Sequence, residues 1–261
     1  MKRLVVGLAA CLLSSCVVLR QEGNAVTPQR PSLSSDTSTT FHGSFELEGG
    51  AHLAEGGGFD LPFVLKYGLD ERTEVFGGWS YLDPEGSGEG SGDVVLGARR
   101  RVIDARDGGA ALALLAQGKL PLADEGEGLG SGEPDGAFAG IATQTCGDWG
   151  LTGFAQLDLL GDPDGGANVG QSLAFAAGRA LPFDLSLFGE VAAVLVPELD
   201  QEQVFTTVGL THATARSLVV DLGVIVGLSD DAEDFGVVLG FTRNLGDFRL
   251  PRAPSLPRRS R

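Results

Sequence analysis

Between residues 59 and 69 every second residue is bulky and apolar: Phe59, Leu61, Phe63, Leu65, Tyr67 and Leu69. The interleaved positions are Asp60, Pro62, Val64, Lys66 and Gly68. A strand sends successive side chains to opposite faces, so this pattern describes a strand with two unlike surroundings. It recurs at Leu218, Val220, Leu222, Val224, Val226 and Leu228, set against Val219, Asp221, Gly223, Ile225 and Gly227. Near the start, Phe45, Leu47, Gly49, Ala51 and Leu53 alternate with Glu46, Glu48, Gly50 and His52. No stretch after residue 40 sustains a helical period, and the 40 glycines argue against long helices.

Twelve such segments are predicted: 44–54, 59–69, 73–82, 93–103, 110–121, 135–145, 149–160, 170–180, 185–196, 204–213, 218–228 and 235–243. Most are about ten residues long, the length a tilted strand needs to cross a hydrocarbon core, whereas soluble sheets favour about five or six. The expected fold is all-β, a transmembrane up-and-down antiparallel β-barrel of about 12 strands over residues 44–243.

The connections sort by parity. The loops 55–58, 83–92, 122–134, 161–169, 197–203 and 229–234 are acidic and contain no Lys or Arg. Arg72, Arg99 to Arg101, Arg106, Arg179, Arg216 and Arg243 fall at the opposite strand ends. Two unlike rims are what up-and-down strands produce, with long loops outside and short turns in the periplasm. An unpaired backbone group in lipid costs several kcal/mol, roughly, so the first and last strands must pair.

Closure puts the polar stripes inside. The predicted lumen lining, and any solute path, is Glu48, His52, Asp60, Lys66, Arg99, Arg101, Gln117, Lys119, Gln156, Asp158, Glu190 and Asp221. Its mixed charge predicts no strong ion selectivity.

The flanks read differently. Lys2 and Arg3 precede an apolar stretch from Leu4 to Leu13, too short to span a bilayer, so residues 1–16 are expected to be a secretory signal. Leu13-Ser14-Ser15-Cys16 resembles a lipobox, which makes Cys16 a candidate lipid-attachment residue; ordinary cleavage among small residues is the alternative. Residues 17–43, polar with a Ser/Thr cluster, are expected to be a flexible periplasmic linker. Residues 244–261 form a basic C-terminal tail.

Several chemistries are disfavoured. A net charge of −16 excludes a basic nucleic-acid face. With Cys11 and Cys16 in the leader, Cys146 alone can build neither a disulfide framework nor a Cys-based metal site. Of His42, His52 and His212, only His52 is expected near the lumen, and no nucleophile motif accompanies it. No enzyme, catalytic residue, metal or cofactor is therefore assigned.

The stretches LPFVLKYGLDERTEVFGGW (61–79), GDVVLGARRR (92–101), ALALLAQGKLPLADE (111–125), GSGEPDGAFAG (130–140) and LVVDLGVIVGLSDDAEDFGVVLGFTR (218–243) carry a resemblance. They are similar to the outer-membrane transporter family named after the meta-pathway of phenol degradation. That resemblance implies a barrel in the bacterial outer membrane that passes small, aromatic or apolar molecules. Arg100 departs from it, standing in a lipid-facing register, and so does the basic tail beyond the last strand. The expected function is a channel or facilitator for small solutes whose partners are outer-membrane lipids and an unknown solute. The alternative is a structural or lipid-anchored barrel with a plugged lumen.

Overall fold

A computed structural model describes residues 26–84, 88–163 and 165–248. The signal segment, Cys16 and most of the basic tail lie outside the described residues.

Thirteen strands run in chain order: β1 (Ser44–Ala54), β2 (Phe59–Gly68), β3 (Thr73–Asp83), β4 (Gly90–Ser91), β5 (Val94–Ile103), β6 (Ala111–Leu120), β7 (Asp135–Cys146), β8 (Trp149–Gly161), β9 (Ala167–Ala180), β10 (Leu185–Val196), β11 (Gln201–Ala215), β12 (Leu218–Gly227) and β13 (Phe235–Asp247). β4 is a two-residue addition to the edge of β3 within a loop. The other twelve form the wall. Each pairs antiparallel with its sequence neighbour, and β1 pairs with β13 from Ser44↔Asp247 to Ala54↔Gly236, which closes the sheet into a barrel. The expected fold class and strand order are therefore found. β9 and β11 are longer than the sequence suggested, and β13 runs four residues past its expected end at 243, into the expected tail.

The wall has the two faces the alternation requires. Leu65, Leu96, Leu114, Phe138, Phe175, Val208 and Leu222 point outward and are exposed, as a lipid-facing belt must be. Their in-register neighbours point in and are buried, among them Lys66, Arg99, Glu190 and Asp221. Aromatic pairs stand near both rims, Phe45 with Tyr67 and Phe248 at one and Phe59 with Tyr81 at the other, while Phe63 stacks on Trp79 at middle height. Arg100 points outward at the first rim, where its Nη1 donates to Thr73 Oγ1 (2.7 Å); its long stem brings the charge back to water there.

One end of the barrel carries the tight turns, such as 147–148 and 216–217, and the other carries the acidic loops, such as 121–134 and 228–234. These are called the turn end and the loop end below.

The described part of the expected linker, residues 26–43, is not outside the barrel. It enters at the turn end, reaches about halfway up the lumen and returns to the start of β1. Thr27 contacts Glu46, Arg30 reaches Asp221, Ser34 binds Glu190, and Thr40 comes back down to Glu74. On the way out it passes directly over Gly68, where a Cβ would collide with the Thr40 and Phe41 carbonyls. The polar composition that suggested a free linker instead suits a segment whose backbone hydrogen bonds come from side chains of the wall and of the segment itself.

Candidate functional site

Residues 26–40 have no regular secondary structure beyond bends. Their buried amides and carbonyls need partners, because an orphaned buried N–H or C=O is rare in a folded protein. The wall provides them with charged side chains. Carboxylates accept from plug amides: Glu46 Oε2 from Thr27 N (3.1 Å), Glu48 Oε1 from Gln29 N (2.9 Å) and Glu74 Oε2 from Thr40 N (2.6 Å). Glu190 accepts from Leu33 N (2.7 Å), from Ser34 N (2.9 Å) and from the Ser34 hydroxyl. Cations donate to plug carbonyls: Lys66 Nζ to Thr27 O (2.7 Å), Arg99 Nη1 to Asp36 O (3.0 Å) and Arg101 Nη1 to Thr37 O (3.4 Å).

The wall charges also pair among themselves. Lys66 Nζ lies 3.0 Å from Glu46 and 2.7 Å from Glu48, with all three side chains almost wholly buried. Arg99 Nη2 lies 2.5 Å from Glu74, again buried. Such pairing is what allows ions to stay charged away from water. Among the described residues, every hydrogen bond between residues 26–40 and the wall has a side chain on at least one side. The wall strands, by contrast, are held by continuous backbone ladders. Residues 26–40 thus share none of the sheet's backbone ladders.

The opposite part of the wall is different. The inward residues of β6 to β10 include Ala113, Leu115, Ala139, Ile141, Phe154, Ala174 and Ala192, all buried, with Phe76 of β3 and Phe205 of β11 packed against them. Between the plug and β8–β10, at the turn end, a cavity of about 400 Å³ remains, lined in part by Arg30, Asp36, Thr152 and Phe188.

The twelve residues predicted to line the lumen fall into three groups. Glu48, Lys66, Arg99, Glu190 and Asp221 come together around the plug, and Arg101 joins them at the turn-end rim, where its Nε also lies 2.9 Å from Asp104. Toward the loop end, His52 Nε2 lies 2.8 Å from Glu233, and its Nδ1 lies 3.8 Å from Asp60. Also toward that end, Gln156 donates to Asp158, which accepts from Ser172 as well. Lys119 lies 2.6 Å from Asp135 and 3.4 Å from Asp93, and Gln117 lines a cavity of about 160 Å³ beside it.

Four participants were missed in the sequence. Glu46 and Glu74 stand in phase with predicted inward residues, and that phase alone would have found them. Arg30 and Ser34 belong to a segment with no periodicity, so no local signal marked them.

The fold and this site define a class: a twelve-strand transmembrane β-barrel whose lumen is occupied by its own N-terminal segment. Comparison then places it in a family. Residues 20–244 match the family model described as "Putative MetA-pathway of phenol degradation", and the chain belongs to that family. No curated protein matches the chain. Among solved structures, the chain is similar to the COG4313 outer membrane channel from Pseudomonas putida F1, with a TM-score of 0.61 and 14% identity over 82% of this chain and 100% of that one. It is also similar to the KdgM porin (TM-score 0.57, 5% identity, 76% of this chain and 98% of that one) and to the NanC porin (TM-score 0.57, 8% identity, 79% and 100%). At such identities the likeness is one of fold.

Proposed function

We propose that the protein is an outer-membrane conduit for small solutes, held closed at rest by residues 26–40. The observation that carries this reading is the way the plug is held. Side-chain contacts alone join it to an intact wall, so an open state costs only those contacts and leaves the barrel whole. The outward apolar belt supports a bilayer location, with lipids as the surrounding partner, and the similar solved structures are an outer membrane channel and two porins. The acidic loops then face the exterior and the plug enters from the periplasm. The solute is small and aromatic or apolar on this reading. The inward apolar strip of β6–β10 and the family's description, which names phenol degradation, both favour it.

A second reading is a structural barrel that never opens. It is favoured by Phe76, Phe154 and Phe205, which meet in one buried cluster beside the plug. Planar-bilayer recordings separate the two. The Glu190→Gln full-length chain removes one of the two carboxylate oxygens that hold Leu33 and Ser34, at a cost of about 1.5–3 kcal/mol for a charged hydrogen bond. Open probability should rise about 10- to 100-fold over the unaltered chain. A folded variant that remains silent while the Leu33 and Ser34 amides exchange freely would leave the structural reading standing.

A further inference from the structure

Arg30 is the plug's only inserted cation, and the wall is shaped around it. Its Nη2 donates to the Leu239 carbonyl of β13 (3.3 Å), and its Nε faces Asp221 of β12 at 3.9 Å. The guanidinium lies across Gly50 and Gly240, which pair with each other on β1 and β13. A Cβ at either glycine would collide with it. The floor of the recess is therefore bare backbone; the Leu239 carbonyl accepts from the guanidinium, and the Asp221 carboxylate faces it without a hydrogen bond.

The fit is incomplete. Asp221 Oδ1 and Arg30 Nε are both buried without a hydrogen-bond partner, and the Asp221 side chain is 2% exposed. The plug backbone, fixed on either side by Glu48 at Gln29 and by Glu190 at Leu33, leaves the guanidinium Nε 3.9 Å from the carboxylate, outside hydrogen-bond reach. A cation free of that tether can close the gap. Lys66 and Arg99 do not compete for Asp221, since Glu46, Glu48 and Glu74 already hold them.

We propose that Asp221 and the Leu239 carbonyl, over Gly50 and Gly240, form a binding site for a guanidinium or primary ammonium group, which Arg30 occupies in the closed barrel and a cationic solute can take from it. The site gives the plug a release signal: a ligand that binds where Arg30 sits favours the unplugged state by its differential affinity for the two states. That consequence rests on the proposed role of residues 26–40 as a removable plug; the site itself does not. It also revises the expectation of no selectivity. Once the plug leaves, Lys66 and Arg99 remain paired with wall carboxylates, whereas Asp221 and Glu190 have lost the groups that faced them, so the open lumen favours cations.

The test uses the full-length chain carrying Arg30→Ala, which empties the recess, and guanidinium chloride at millimolar concentration as the probe. Guanidinium should raise the thermal midpoint of this variant above that in equal sodium chloride, with binding at least about tenfold stronger than sodium's, the lower bound for a charge-assisted hydrogen bond. The increment should vanish in Arg30→Ala/Asp221→Asn and persist in Arg30→Ala/Glu190→Gln, whose change lies elsewhere on the wall, at the contact with Leu33 and Ser34. Equal effects of guanidinium and sodium on the single variant, or an increment that survives Asp221→Asn, would overturn the site. In bilayers, guanidinium on the turn-end side should raise the open probability of the unaltered chain. Rescue of Arg30→Ala together with a barrel that stays silent would uphold the site and overturn the plug.

Discussion

The lumen has two unlike halves, and they close it by opposite physics. On β1–β3, β5 and β12 the inward side chains around residues 26–40 include Glu46, Glu48, Lys66, Glu74, Arg99 and Asp221, and Glu190 of β10 extends the set. These ions are buried, and they grip an irregular piece of backbone. On β6–β9 the inward positions at middle height are Ala113, Leu115, Ala139, Ile141, Phe154 and Ala174, which pack on one another. The charged half is directional: each contact needs a partner at a set distance, and a lost partner leaves an uncompensated charge. The apolar half is non-directional, and its worth follows the area and volume it fills. The proposed reversible closure rests on the first half, where a rival ligand would supply the same hydrogen bonds.

The largest expected effect falls on the charged half. Lys66→Met removes the cation shared by Glu46 and Glu48 and leaves two buried carboxylates facing each other. Breaking a buried ion pair from one side costs about 3–5 kcal/mol. Urea unfolding of the lipid-reconstituted chain should show that loss, and Lys66→Met/Glu48→Gln should recover part of it. A loss under 1 kcal/mol, roughly the worth of an exposed pair, would show that water reaches these groups and would dissolve the contrast between the halves.

A smaller effect is expected across the lumen. Ile141→Val deletes one methylene from the apolar cluster and should cost about 1 kcal/mol, without altering hydrogen exchange at Leu33, Ser34 or Thr40. Faster exchange at those amides would mean that the apolar cluster supports the plug, and the two halves would then act as one unit.

How much of this was legible in the sequence depends on the half. The strands, their antiparallel order and the inward register of Lys66, Arg99, Glu190 and Asp221 follow from period-two alternation, because one face had to meet lipid. The alternation is weakest where both faces are apolar. At 111–116 the run Ala-Leu-Ala-Leu-Leu-Ala gives no polar stripe, so an inward apolar strip could not be told from an outward one. Residues 26–40 were misread for a different reason. Their wall partners lie 19 or more residues away, and a segment held by such contacts has the same polar, Pro-containing composition as a segment held by none. Arg30 shows the limit plainly: its recess is made by Gly50, Asp221, Leu239 and Gly240, which only barrel closure brings together.

The smallest expected effect tests the rim, where the charged half meets water. In the turn after β5, the hydrogen bond from Arg101 holds the Asp104 carboxyl below its usual value of 3.8, with help from the nearby charges of Arg72 and Arg106. Asp70, in the turn before β3, is lowered in the same direction, first by the Arg72 amide and also by the Thr73 hydroxyl and Arg100. A carboxylate whose folded value is depressed adds stability that is complete above its unfolded value and disappears as pH falls through the folded one. The rim contribution is therefore constant from neutral pH down to about 4 and is lost only below that. Both groups face solvent, so the loss is small and screened by salt. Thermal midpoints of Asp104→Asn and of the unaltered chain should differ slightly at pH 6 and approach each other as pH falls below the usual 3.8. Arg101 links this rim to the plug, since its Nη1 donates to Thr37 O while its Nε holds Asp104. If acid also speeds exchange of the Thr37 amide in the unaltered chain but not in Asp104→Asn, the rim steadies the plug through Arg101; an equal response in both chains would confine Asp104 to its turn.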